Sequence, residues 1–161
     1  MKNLRAAVLL LLMTPVLAMA AGNSAAPAFE QLKTLAGTWE RTGPDGKTHT
    51  STWALIASGS VMMETMQPEN VVTMYYLDGA RLMNTHYCMA KNQPRMVADV
   101  SPDGKTIAFK FLDITNLASP DAFHMRGIVM KLENANRFSQ QWFYRKAGKD
   151  QSSTFYYTRK P

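Results

Sequence analysis

Apolar and polar residues alternate with a period of two along most of this chain. That is the spacing of half-buried strands, because successive strand side chains point to opposite faces. The pattern predicts ten strands, at residues 38–42, 48–56, 60–67, 71–77, 81–89, 95–100, 106–112, 123–132, 137–146 and 152–160. They are rich in Val, Ile, Thr and aromatic residues, which suit a pleated surface. One segment departs from this period: Phe29, Leu32 and Leu35 recur at every third position and predict a short helix over 27–36, ended by Gly37.

The connectors carry turn chemistry. Asp78-Gly79, between two alternating runs, is the dipeptide of a two-residue hairpin turn. Gly43-Pro44-Asp45-Gly46, Ser58-Gly59, Lys91-Asn92-Gln93-Pro94, Pro102-Asp103-Gly104, Asn134-Ala135-Asn136 and Gly148-Lys149-Asp150 mark further turns. Only residues 113–122 make a long connection, either a lid or a wide turn. Short turns imply an antiparallel meander, and a flat meander leaves two exposed edges that closure removes. The expected fold is all-β: a ten-stranded antiparallel up-and-down barrel behind a short N-terminal helix.

The start of the chain changes the picture. Lys2 and Arg5 precede the apolar run 6–12, and Ala18-Met19-Ala20 supplies a small-residue cleavage site, which predicts a signal peptide over 1–20 and a flexible leader over 21–26. A membrane anchor is the competing reading, but a span needs about 20 apolar residues and Pro15 interrupts this run. The barrel domain at 27–161 is therefore expected to be periplasmic or secreted, with no stable membrane anchor after cleavage. Cys88 is the single cysteine, so no internal disulfide forms; the thiol is either inert and buried or reactive. Of the formal net charge of +6, two belong to Lys2 and Arg5, and the remaining basic residues are scattered among acids and aromatics. Without a basic stripe, a nucleic-acid partner is not expected.

The run Phe29-x-x-Leu32-x-x-Leu35-Ala36-Gly37-Thr38-Trp39-Glu40, a short helix followed by Gly-x-Trp, resembles the opening of lipocalins and other calycins. Tyr157-Thr158-Arg159 resembles their last strand, whose Arg packs near that Trp. The opening is also similar to those of intracellular lipid-binding barrels and nitrobindin-like barrels. His86-Tyr87-Cys88 and Asn92-Gln93-Pro94-Arg95-Met96 resemble the signature of secreted bacterial lipocalin-like proteins of unknown function. The resemblance implies a barrel spanning the whole mature chain and a structural role for Trp39 and Arg159 at the barrel floor. Its lipid-binding branch implies the alternative that Tyr157 and Arg159 hold a fatty-acid carboxylate.

Charges set which residues of each strand face inward, because a lysine or arginine on an apolar strand belongs outside. With Arg81 outside, Leu82, Asn84, His86 and Cys88 turn inward; with Lys110 outside, Ile107, Phe109 and Phe111 do. With Lys131 outside, His124, Arg126, Ile128 and Met130 are inward; with Arg137 and Arg145 outside, so are Phe138, Gln140, Trp142 and Tyr144. The phases of 60–67 and 71–77 stay open, and any bulge would invert an assignment. The expected ligand site is a lumen lined by Asn84, His86, Cys88, Phe109, His124, Arg126, Met130, Gln140 and Trp142. Apolar walls with a few polar groups suit a small hydrophobic or amphipathic ligand, and an inward Arg126 would anchor an acidic head group unless it pairs internally with Glu64 or a bulge turns it to solvent.

Four function classes follow. The first is an exported barrel that binds a small, largely apolar, acidic molecule and requires no cofactor. The second is a small barrel enzyme of isomerase, cyclase or hydrolase type, using His86 with Cys88 or Tyr87. The third is a haem or metal carrier using His86, Cys88 and His124 as soft ligands, although no CxxC or HxxxH spacing supports it. The fourth is a protein-interaction module working through the mouth loops, where Tyr87, Asn92, Gln93 and Arg95 either contact a partner or form a self-satisfied turn. No Gly-x-Ser-x-Gly or phosphate-binding loop is present.

Overall fold

A computed structural model describes residues 25–43 and 45–161. The signal peptide expected at 1–20 lies outside the described residues, as do residues 21–24 of the leader. Ala25 and Ala26, read as leader, are instead the first residues of helix α1 (Ala25–Lys33), which starts two residues earlier than Pro27. Ala25, Ala28, Phe29 and Leu32 are its buried residues, one stripe of a helix with a 3.6-residue period.

Ten strands follow: β1 (Gly37–Thr42), β2 (Thr48–Ile56), β3 (Val61–Gln67), β4 (Val71–Asp78), β5 (Arg81–Tyr87), β6 (Gln93–Val100), β7 (Thr106–Thr115), β8 (His124–Asn134), β9 (Arg137–Lys146) and β10 (Lys149–Arg159). Each pairs antiparallel with its neighbour in sequence, and β1 pairs with β10 to close the barrel. The all-β, up-and-down architecture is the one the alternation predicts. At the hairpin between β4 and β5, Asp78 sits opposite Arg81, and Gly79 has φ +59, the left-handed conformation that this turn needs. The final hairpin turns at Ala147-Gly148, one residue earlier than its Gly-Lys-Asp run suggests, so β10 gains Lys149, Asp150 and Gln151.

Helix α1 packs against β4, β5 and β6 and closes one end of the barrel. Arg159 ties the first and last strands to that end. Its Nη2 donates to the Thr34 carbonyl at 2.7 Å, its Nη1 to Ala36 at 2.8 Å and its Nε to Ala135 at 2.9 Å, with the guanidinium 4.2 Å from the Trp39 ring centroid. Trp39 in turn donates from Nε1 to the Leu35 carbonyl at 2.7 Å. Above this floor the lumen is filled by rings. Phe138 stacks on Tyr157 at 4.4 Å and meets the edge of Trp39 at 4.7 Å, while Trp53 stacks on Tyr75 at 5.2 Å. Such pairs add about 0.5–1.5 kcal/mol each beyond the area they bury. The helix end is therefore a packed core, and any ligand space lies toward the other end.

Candidate functional site

Alternation from Trp39 turns Arg41 into the lumen, and alternation along β3 and β4 resolves the two open phases: Met62, Glu64 and Met66 are inward, as are Val71, Thr73 and Tyr75. Register then aligns a polar row across three strands, Glu64 opposite Thr73 and Thr73 opposite His86. Glu64 is fully buried and accepts hydrogen bonds from Tyr75 Oη at 2.9 Å, Ser51 Oγ at 3.1 Å and Gln140 Nε2 at 3.1 Å. Trp142 Nε1 donates onward to Gln140 Oε1 at 3.1 Å. Burial raises the Glu64 carboxyl to about 7, against the three hydrogen bonds and the charge of Arg41, which lower it. His86 has one ring nitrogen, Nδ1, 2.9 Å from Thr73 Oγ1, and burial lowers its pKa to about 4, so the imidazole is neutral at neutral pH.

Above this row, at the end away from α1, lies a pocket of about 120 Å³. Its apolar walls come from Met66, Val71, Met125, Trp142, Tyr144 and Phe155, and its polar groups from Arg41, Glu69, His86 and Ser153. Cys88, Met89 and Phe123 complete the rim. Arg41 is 3% exposed, lies over the Phe155 ring at 4.4 Å and pairs through Nη2 with Glu69. Its Nε and Nη1 have no partner at full hydrogen-bond geometry among the described residues, the Tyr157 hydroxyl being the nearby group that interacts with the guanidinium, and His86 Nε2 has no partner either. Unbonded buried donors on a charged group cost at least about 1–3 kcal/mol each, which an incoming acceptor recovers. Beside the pair, His49 Nε2 lies 3.0 Å from Asp45 Oδ1 and its Nδ1 3.6 Å from Glu69 Oε1, steadying Glu69 at the rim.

The residues singled out from sequence are distributed unevenly around this pocket. His86, Cys88 and Trp142 form part of its wall. Phe109, Met130, Asn84 and Gln140 are buried in the lumen but do not line the pocket. Arg126 is corrected by a bulge. Between Met125 and Gly127 the pairing with β9 skips a residue, so Met125 opposes Tyr144 and Gly127 opposes Phe143, leaving Arg126 as the extra residue. Arg126 lies 5.3 Å from the Phe111 ring centroid and lines a shallow groove on the outer wall with Phe143, Asp150 and Ser152. That groove is larger, about 480 Å³, but it is open to solvent and its Asp150 already pairs with Arg145 at 2.9 Å. His124 stays buried but does not line the pocket: it opposes Arg145, contacts the Phe111 ring at 6.0 Å and bonds through Nδ1 with the Ala122 carbonyl at 2.7 Å. Glu64 is internal, yet its partners are Ser51, Tyr75 and Gln140 rather than Arg126.

Sequence reasoning missed Arg41 and Glu69. The signal for Arg41 was present, since Trp39 at the barrel floor fixes the phase of β1 and sends Arg41 inward two residues later. Cys88 is buried, its Sγ accepts from the Ala90 N–H at 3.5 Å, and burial pushes its thiol pKa up. A nucleophilic thiolate needs the opposite shift. Among the described residues no group of three or more His, Cys, Asp and Glu side chains is placed to hold a metal ion. Asn92 Nδ2 bonds the Phe123 carbonyl at 2.8 Å and pins the rim, while Arg95 pairs with Asp113 on the outer wall. No protein-family model matches this chain, and no curated protein matches it.

Proposed function

We propose that this protein is an exported, lipocalin-like binding protein that holds a small, largely apolar molecule by an acidic head group in the pocket at the open end of the barrel. The observation that carries the reading is Arg41: a buried guanidinium with two unbonded nitrogens on the wall of an apolar pocket. A carboxylate there would gain charge-assisted hydrogen bonds in a low-dielectric setting. The Gly-x-Trp opening and the Trp39–Arg159 contact support the calycin part of the reading, and the apolar run behind Lys2 and Arg5 supports export. At about 120 Å³ the pocket is smaller than the roughly 300 Å³ at which drug-sized sites begin, so the ligand is small or the flexible Met66, Met89 and Met125 move to admit it.

Titrating the protein with straight-chain acids and the alcohols of equal length, followed by calorimetry, tests this. Acids should bind at least tenfold tighter than alcohols, as expected when a buried charged donor gains a partner worth about 1.5–3 kcal/mol. Arg41→Met paired with Glu69→Gln, which keeps the internal charge balanced, should remove that preference. Equal binding of acids and alcohols would overturn the reading.

A second reading is a soft-metal site, favoured by the gathering of His86, Cys88, Met66, Met89 and Met125 around one pocket. Thioether and thiolate ligands select Cu(I), and elemental analysis after copper loading with Met66→Leu as the control tests it.

A further inference from the structure

Two strands place residues that carry unbonded buried nitrogens around the pocket: Arg41 on β1, and His86 on β5, four places away in a ring of ten strands and so on a nearly opposite wall. Between them the wall is apolar, with Met66, Trp142 and Phe155. Trp142 also meets the imidazole at 4.9 Å, fixing the plane of the His86 ring. With Nδ1 held by Thr73 Oγ1, Nε2 is the nitrogen left for a ligand.

The Thr73 hydroxyl can donate to Nδ1 or accept from it, so a neutral His86 presents Nε2 as a donor in one tautomer and an acceptor in the other. A carbonyl or an ether answers only the first. A hydroxyl answers both. Resting on the reading that Arg41 holds an acid, we propose that the ligand is a short hydroxy acid, its carboxylate on Arg41, its hydroxyl on His86 Nε2 and a few apolar carbons between. The pocket volume, about 120 Å³, equals roughly four waters at ~30 Å³ each, which keeps the apolar span short.

The test uses the purified chain and two matched probe series, the straight-chain acids from butanoic to octanoic and the same acids carrying a terminal hydroxyl, measured by calorimetry. In the wild type the best-fitting hydroxy acid should bind about tenfold tighter or better than the plain acid of equal length, because the plain acid leaves His86 Nε2 buried and unbonded. His86→Phe should erase the hydroxyl preference, so that within this variant hydroxy and plain acids of equal length bind alike. His86→Gln, which still offers a donor and an acceptor, should restore part of it, and this variant also reads the effect if His86→Phe does not fold.

A wild type that binds both series equally, with Arg41 still required, overturns the hydroxy-acid inference and leaves the acid-binding reading intact. A hydroxyl preference undiminished in His86→Phe overturns it as well. If neither series binds, both proposals fall together.

Discussion

Glu64 and His86 make opposite demands on pH, and replacing one exposes the other. Glu64 keeps a proton in the folded chain up to about pH 7, while the unfolded chain releases it near the ordinary value of 4.5. Its contribution to stability is therefore full below pH 4.5 and is lost as pH rises to about 7. His86 behaves in reverse: the unfolded chain takes up a proton near 6.5, and burial withholds it from the folded chain until about 4. That contribution is full above pH 6.5 and is lost as pH falls to about 4. At about 1.4 kcal/mol per pH unit, each group is worth ~3 kcal/mol across its window. Between pH 4.5 and 6.5 the two slopes cancel.

Glu64→Gln keeps the shape and most of the hydrogen bonds. Its amide oxygen can accept from Tyr75 and Gln140, and its amide nitrogen can donate to Ser51 Oγ, which becomes the acceptor. Urea denaturation followed by tryptophan fluorescence from pH 4 to 8.5 measures the consequence. The variant should gain on the wild type steadily as pH rises from 4.5 to about 7, by ~3 kcal/mol in total, and then hold that lead. Its own stability should climb from pH 4 to 6.5 with the slope of a single histidine. A difference between variant and wild type that stays constant over the whole range would refute the reasoning, because it would mean that Glu64 titrates alike in the folded and unfolded chains.

Other outcomes follow from the same geometry. Arg159→Met removes three hydrogen bonds to the Thr34, Ala36 and Ala135 carbonyls and the contact with Trp39, and should cost about 2–4 kcal/mol in urea denaturation. Gly127→Ala places a methyl group 3.1 Å from the Phe109 carbonyl oxygen at the β7–β8 seam, and should lower the melting temperature by an amount matching about 1–3 kcal/mol. An unchanged melting temperature would show that the bulge absorbs the methyl group. Cys88, buried with a raised pKa, should react with iodoacetamide far more slowly in the native protein than in urea at the same pH. Rapid native labelling would contradict its placement.

Alternation and turn residues alone determined the architecture of this protein. Ten runs with a period of two, separated by Asp-Gly and similar turns, leave a closed meander as the arrangement that spares both edges. The same local logic placed His86, Cys88 and Trp142 on inward faces, because Arg81, Arg137 and Arg145 anchor the phase of their own strands. Tertiary structure decided the rest. One extra residue at Arg126 broke the alternation and moved the expected anchor to the outer wall, and a bulge is set by pairing with a neighbouring strand, which no single run of sequence records. Arg41 took the inner position, since its phase depends on Trp39 and its partner Glu69 arrives from the turn between β3 and β4. Depth was the other quantity hidden from the sequence. Period-two alternation says which side chains face the lumen but not how high they sit, and it is height that separates the ring-filled floor of Phe138, Tyr157 and Trp53 from the small apolar-walled pocket of Arg41 and His86.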